Sequence, residues 1–203
     1  MAVRLPVRQV AAANGAFIAL LGVLGVLFLV FGSPFGSFDL DGERNVPAIY
    51  SAALWFSAAL VALLMGRLDE EPGLPQLWVG LSAFFVFVSA DEFGEIHERL
   101  ERIVGVDWQI LYSPVALLAL VLWVFVVRRL RQISVGVGLL LAGTVCGIAS
   151  QVAEAVEYGP GDERVAAFDE LMVFEELVEM VAALLIGLAL LTALQALYRG
   201  ARA

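Results

Sequence analysis

Six apolar segments account for most of this chain, and each is long enough to cross a lipid bilayer as a helix. A spanning helix needs about 20 mostly apolar residues, and its backbone polar groups must be satisfied inside the segment itself. Hydrophobic residues make up 61% of the 203, and mean hydropathy is +0.90. We therefore predict one all-α transmembrane domain, residues 1–203, with no soluble part. The predicted spans are Val10 to Gly32, Val46 to Gly66, Pro75 to His97, Ile110 to Val127, Ser134 to Ala153 and Leu171 to Leu197.

The distribution of arginine predicts how the bundle is oriented, since the chain contains no lysine. Four arginines, Arg44, Arg99, Arg102 and Arg164, fall on one side of the predicted membrane, and the remaining eight of the twelve fall on the other. Positive residues concentrate on the cytoplasmic side of membrane proteins. We expect both termini in the cytoplasm and most of the acids at the outer, periplasmic or extracellular, side.

Ionisable residues within the apolar segments are the main functional candidates, because such groups are costly in a bilayer. The third span ends in the sequence Ser89-Ala-Asp91-Glu92-Phe-Gly-Glu95-Ile-His97-Glu98. On the wheel of one continuous α-helix, Asp91, Glu95, Glu98 and Arg102 form one narrow stripe, and Glu92 and Arg99 lie a little to one side. His97 then lies away from that stripe, at the edge of any site.

The fifth and sixth spans bring further acids to the same side. Gly143, Gly147 and Ser150 form a small-residue face that leads to Glu154 and favours a close helix contact. The third and fifth spans should end at the outer side of the membrane, where the sixth span begins. The acids of the fifth and sixth spans should therefore meet those of the third. The predicted site consists of Asp91, Glu92, Glu95, His97, Glu98, Glu154, Glu175, Glu176 and Glu179.

Carboxylate oxygens with a single imidazole favour a divalent metal, either iron or manganese, or otherwise calcium. One histidine is too few for a three-histidine zinc hydrolase, and no serine, cysteine or lysine nucleophile has a matching base. If the protein is an enzyme, we expect a metal-dependent membrane oxidoreductase or hydrolase. Trp108 and Tyr112 are expected near the mouth of its site.

Two other functions fit the same residues. The same acids could form the site of a cation or proton translocator, or the outer face of an assembly subunit that docks a basic partner or a second copy. Arg99, Arg102 or Arg164 could also neutralise the acids and leave only a structural ion-pair network. The net charge of −9 argues against nucleic acid as a partner and leaves the lipid bilayer as the expected environment.

Two motifs resemble a known pattern. The Asp91-Glu92-x-x-x-x-His97-Glu98 helix, followed by Glu175-Glu176-x-x-Glu179-Met180, is similar to a pattern in small multipass membrane proteins of bacteria and archaea. The resemblance covers two of the six predicted spans. It implies that these residues act as one constellation, and it carries no activity.

Overall fold

The computed structural model describes residues 6–42, 44–106, 108–133, 136–157 and 164–200, except for the side chain of Glu98. These residues contain α-helices, one short 3₁₀ helix at Gly36–Phe38 and no strand that pairs into a sheet. The helices are α1 Val7–Phe31, α2 Val46–Leu68, α3 Leu74–Gly94, α4 Ile96–Val104, α5 Trp108–Leu111, α6 Ser113–Ile133, α7 Val137–Val156 and α8 Phe168–Gly200.

Six of these helices, namely α1, α2, α3, α6, α7 and α8, are long and apolar enough to cross a membrane. They correspond in order to the six predicted spans, so the predicted helical bundle is confirmed. The fourth span begins at Ser113 rather than Ile110 and continues to Ile133. The predicted start of the fifth span, Ser134, lies outside the described residues.

Helix boundaries follow local chemistry. Asn45 caps α2, because its side-chain oxygen accepts a hydrogen bond from the backbone N–H of Ala48 at 3.1 Å. Gly73 precedes α3 with φ of +85°, a left-handed conformation that costs glycine little. Pro75 then occupies the first turn of α3, where its missing N–H removes no intrahelical hydrogen bond.

The long helices pack around α2 and α8. Helix α2 packs extensively against α3 and α8, α7 packs along α8, and α1 covers another side of α8. By contrast, α6 has few contacts with α3, α7 and α8. The bundle has an acidic end, where α1, α3 and α7 finish, and an arginine end, where α2 and α6 finish.

The prediction of a continuous third helix to His97 is wrong. Helix α3 ends at Gly94, and Glu95 adopts a left-handed conformation with φ of 51° and ψ of 43°. Helix α4 then starts at Ile96 in a new direction. A wheel drawn through this break does not describe which residues share a face.

The arginine end is held together by a buried ion pair. Arg129 of α6 donates from Nη2 to Asp69 Oδ1 at 2.6 Å and from Nε to Asp69 Oδ2 at 2.9 Å. Trp78 of α3 donates from Nε1 to the same carboxylate at 2.9 Å. Burial raises the pKa of Asp69, but the hydrogen bonds and charge of Arg129 outweigh it and the pKa is lowered. Asp69 therefore ties α2, α3 and α6 together.

Candidate functional site: an acidic cavity

A cavity of about 1180 Å³ occupies the acidic end of the bundle. Its walls come from α2, α3, α6, α7 and α8, together with α4, α5 and the segment that joins α1 to α2. We call it the acidic cavity because of the residues in its lining. They include Asp41, Asp91, Glu92, Glu101, Glu154, Glu157, Glu175, Glu176 and Glu179.

Seven of the nine predicted site residues line this cavity: Asp91, Glu92, His97, Glu154, Glu175, Glu176 and Glu179. Glu95 is not among the lining residues, and its side chain lies 4.0 Å from Nε of Arg44 instead. The side chain of Glu98 lies outside what the structure describes. The turn at Glu95 explains this division, because it redirects the chain immediately after Asp91 and Glu92.

Asp91 and His97 form a hydrogen-bonded pair. The backbone N–H of His97 donates to Asp91 Oδ1 at 2.8 Å, and His97 Nδ1 lies 3.0 Å from Asp91 Oδ2. The hydroxyl of Tyr112 also donates to Asp91 Oδ1, at 3.0 Å. The helical wheel, which put His97 on a different face from the acidic stripe, was therefore wrong here, because it assumed an unbroken helix.

A second polar group connects α5 with α7. Trp108 donates from Nε1 to Glu154 Oε1 at 2.8 Å, and Gln151 donates from Nε2 to Glu154 Oε2 at 3.3 Å. These bonds fix the Glu154 carboxylate in the lining, one turn beyond Ser150. The small-residue face predicted for this helix does lead to Glu154.

The acids of α8 face those of α3 and α7. Glu175 is buried, and its carboxyl is close enough to that of Glu179 to share a hydrogen bond when one of them carries a proton. Glu92 of α3 interacts electrostatically with both Glu176 and Glu179. Like charges thus meet across the cavity, and Arg102 is the only arginine in its described lining.

Aromatic rings form a continuous part of the lining. The His97 ring lies 4.9 Å from that of Trp108, Trp108 lies 5.5 Å from Tyr112, and Tyr112 lies 5.5 Å from Phe87, measured between centroids. We call these four side chains the aromatic wall. Burial, followed by the hydrogen bond to Asp91, raises the pKa of the Tyr112 hydroxyl, so the wall keeps its phenol neutral.

Two lining residues are more than nine-tenths buried and carry a polar atom for which the described part of the chain offers no hydrogen-bond partner. Trp55 is 8% exposed and its Nε1 has no acceptor, while Glu157 is 7% exposed and its Oε1 has no donor. Burial, followed by the charges of Glu154 and Asp41, raises the pKa of Glu157 to about 7 against the opposing effect of Arg164. A buried polar group without a partner is uncommon in native proteins.

The side chains do not present a preformed metal site. Across the part of the chain that the structure describes, no group of three or more His, Cys, Asp or Glu residues is arranged to hold a metal ion. The acids line the same cavity but are spread over α3, α4, α7, α8 and two connecting segments. Any metal would have to draw them together by changes of rotamer.

Some lining residues were not among the predicted site residues. Asp41 comes from the segment that joins α1 to α2, Gln109 from the short helix α5, and Trp55 from the middle of α2. Nothing in the local sequence separates Trp55 from the tryptophans that pack elsewhere in the bundle. Asp41 has a weak sequence indication of its place in the cavity, because it follows a predicted span on the acidic side.

Comparison with known proteins gives one match. Residues 17–194 match the sequence model of a family described as Domain of unknown function (DUF8692). This range includes all six long helices in part or whole and every residue predicted for the site. No curated protein and no solved structure matches the chain.

Proposed function

The chain belongs to the DUF8692 family, and we propose that it is an integral membrane protein that binds a cation in its acidic cavity. The observation that carries this proposal is the meeting of Glu92 of α3 with Glu176 and Glu179 of α8 in one cavity. These acids come from separate helices. Their proximity therefore depends on the fold and not on a charged stretch of sequence.

Charge balance supports a cationic occupant. Removing a carboxylate from water is unfavourable unless a cation, a proton or hydrogen bonds compensate it. The described lining contains nine acids against Arg102 and one histidine. Tyr112 donates a hydrogen bond to Asp91, and Trp108 donates one to Glu154. For the α8 acids, a bound cation would supply the remaining compensation.

A divalent metal is the simplest cation to consider, because carboxylates are hard oxygen ligands. Glu92, Glu176 and Glu179 are the residues we assign as ligands, with Glu175 and Glu154 next to them. His97 would contribute an imidazole only after a change in its present pairing with Asp91. Iron, manganese and calcium remain the metals suited to this donor set.

Membrane insertion follows from the six apolar helices. In the orientation expected from arginine, the arginine end faces the cytoplasm and the acidic cavity opens toward the outside. A cation would therefore enter from the periplasmic or extracellular side.

The packing gives less support to a translocator. Beyond Trp55, Phe84 and Ala182, the bundle continues as a closed apolar core that includes Met65, Trp78, Leu81, Phe85 and Leu130. All five of these side chains have no exposed surface. An assembly subunit is also less favoured, because a docking surface for a basic protein would not need its acids inside a cavity.

Terbium luminescence tests the proposal directly. Tb³⁺ replaces Ca²⁺ at oxygen sites, and Trp108 lies close enough to the acids to sensitise its emission. Purified protein in mild detergent should show saturable Tb³⁺ emission that Mn²⁺ or Ca²⁺ displaces. A Glu176→Gln variant should bind at least about tenfold more weakly, because one charged ligand is lost.

Glu170→Gln is the matched control, since Glu170 is exposed on the same helix and does not line the cavity. It should bind as the wild type does. The metal content of protein purified without chelator gives an independent measure by mass spectrometry. Equal and weak binding by all three proteins, with no co-purified metal, would count against a metal in the cavity.

A further inference from the structure

We infer that the acidic cavity takes a small organic ammonium ion, recognised jointly by its carboxylates and by the aromatic wall. This inference rests on the proposed function, because it names the class of cation that the cavity binds. Three observations support it: the size of the cavity, the rings in its lining, and the buried polar atoms that lack partners.

The cavity is larger than a metal ion requires. A divalent ion with six waters, at about 30 Å³ of liquid volume per water, occupies roughly 200 Å³. Sites for small organic molecules usually have volumes of about 300–1,000 Å³, and the acidic cavity holds about 1180 Å³. The space therefore suits an organic molecule with its surrounding waters. The lack of a preformed metal-ligand trio among the described residues agrees with this.

The aromatic wall provides the second group of contacts for an ammonium ion. Ring faces attract cations, and alkylated ammonium groups are commonly bound by sets of aromatic side chains. Trp108 connects the wall to the acids, because its ring lies between those of His97 and Tyr112 while its Nε1 donates to Glu154. Aromatic rings would contribute little to the binding of a hydrated metal ion, because its ligands are oxygen atoms.

The atoms without partners indicate that the lining is incomplete without an occupant. Among the described residues, neither Trp55 Nε1 nor Glu157 Oε1 has a hydrogen-bond partner. Both side chains line the cavity and are more than nine-tenths buried. The hydroxyl of an ammonium compound could serve as partner to either atom, directly or through a water molecule in the cavity.

Isothermal titration of the purified, detergent-solubilised protein tests this inference. The probes are choline chloride and 3,3-dimethylbutan-1-ol, which has the same shape but no charge. We expect choline to bind at least about tenfold more tightly than the neutral compound. Trp108→Leu should weaken choline binding by about tenfold, whereas Trp108→Phe should retain more of it because a ring remains.

Phe174→Leu is the control for removal of a ring, since Phe174 is exposed on α8 and does not line the cavity. It should bind choline as the wild type does. Size-exclusion profiles and near-ultraviolet circular dichroism establish that each variant is folded.

The outcomes separate this inference from the proposed function. Equal binding of the two probes, or binding of Tb³⁺ without choline, would overturn the ammonium inference and leave cation binding intact. Choline binding that is unchanged in both Trp108→Leu and Glu176→Gln would place the ligand outside the cavity, and would also overturn it. Failure of both Tb³⁺ and choline to bind would remove the proposed function as well.

Discussion

Glu157 should make the stability of this protein depend on pH. Its ordinary pKa is 4.5, and burial, followed by the charges of Glu154 and Asp41, raises it to about 7, with Arg164 opposing. Glu175 also faces it. The folded protein thus keeps a proton that the unfolded chain releases near pH 4.5. The stabilisation is full below that pH and is lost as pH rises toward 7.

Thermal unfolding in detergent between pH 5 and 8 measures this contribution. The unfolding midpoint of the wild type should fall more steeply over this range than that of a Glu157→Gln variant, which has no proton to lose. Glu170→Gln, which changes an exposed acid, should keep the wild-type slope. Identical slopes for all three proteins would show that Glu157 titrates at its ordinary pKa.

Asp69 should be the most sensitive acid at the arginine end. Asp69→Asn removes the charge that pairs with Arg129 and changes the acceptor of the Trp78 bond. Glu71 still lies 2.8 Å from Nη1 of Arg129, so the guanidinium keeps one charged partner, and the cost is that of lost hydrogen bonds to a charged group, about 1.5–3 kcal/mol. The free energy of unfolding should fall by about this amount. Glu70→Gln, which alters an exposed neighbour, should change it by less than about 0.5 kcal/mol.

At the scale of helices, the contact between α7 and α8 depends on Gly143. A Cβ atom added there would lie 2.9 Å from Ile186 Cγ1 and 3.1 Å from the carbonyl oxygen of Ala182. Gly143→Val should therefore destabilise the protein by about 1–3 kcal/mol, since neither the helix backbone nor a packed side chain can move freely. Gly138→Val is the control, because nothing lies within 4 Å of the added Cβ. Equal unfolding midpoints for the two variants would contradict a tight contact at Gly143.

The six spans could be predicted because hydropathy is a local property of the sequence. The break after α3 could not, because its left-handed residue is Glu95 and not the adjacent Gly94. A non-glycine residue in this conformation is held there by surrounding structure. The predicted positions of His97 and Glu95 were wrong for this one reason, since both lie beyond the break.

The convergence of acids was predictable from the alternating direction of the helices, and seven of the nine predicted residues line the cavity. The distances between their carboxylates were not predictable. They depend on the rotation of each helix and on partners such as Trp108 and Tyr112, which fix the carboxylates of Glu154 and Asp91 by hydrogen bonds. The sequence therefore predicted that these seven residues lie around one space, but not whether they form a compact ligand set.

The whole molecule is asymmetric along its long axis. Its arginine end has a dense core with the Asp69 and Arg129 ion pair, whereas its acidic end contains the cavity. The close packing of α2 with α3 and of α7 with α8 supports both ends, and α6 covers the space between these pairs with few contacts. This arrangement suits ligand binding, because a ligand can enter the acidic cavity without disturbing the core at the arginine end.

This asymmetry gives a prediction about orientation in the membrane. With Cys146 changed to serine, single cysteines can be introduced by Ser37→Cys at the acidic end and by Glu70→Cys at the arginine end, both at exposed positions. If arginine determines orientation, a membrane-impermeant maleimide should label the Ser37→Cys protein in intact bacterial cells. The Glu70→Cys protein should react only after the cells are permeabilised. The reverse pattern would place the acidic cavity in the cytoplasm, and the cation would then have to come from inside the cell.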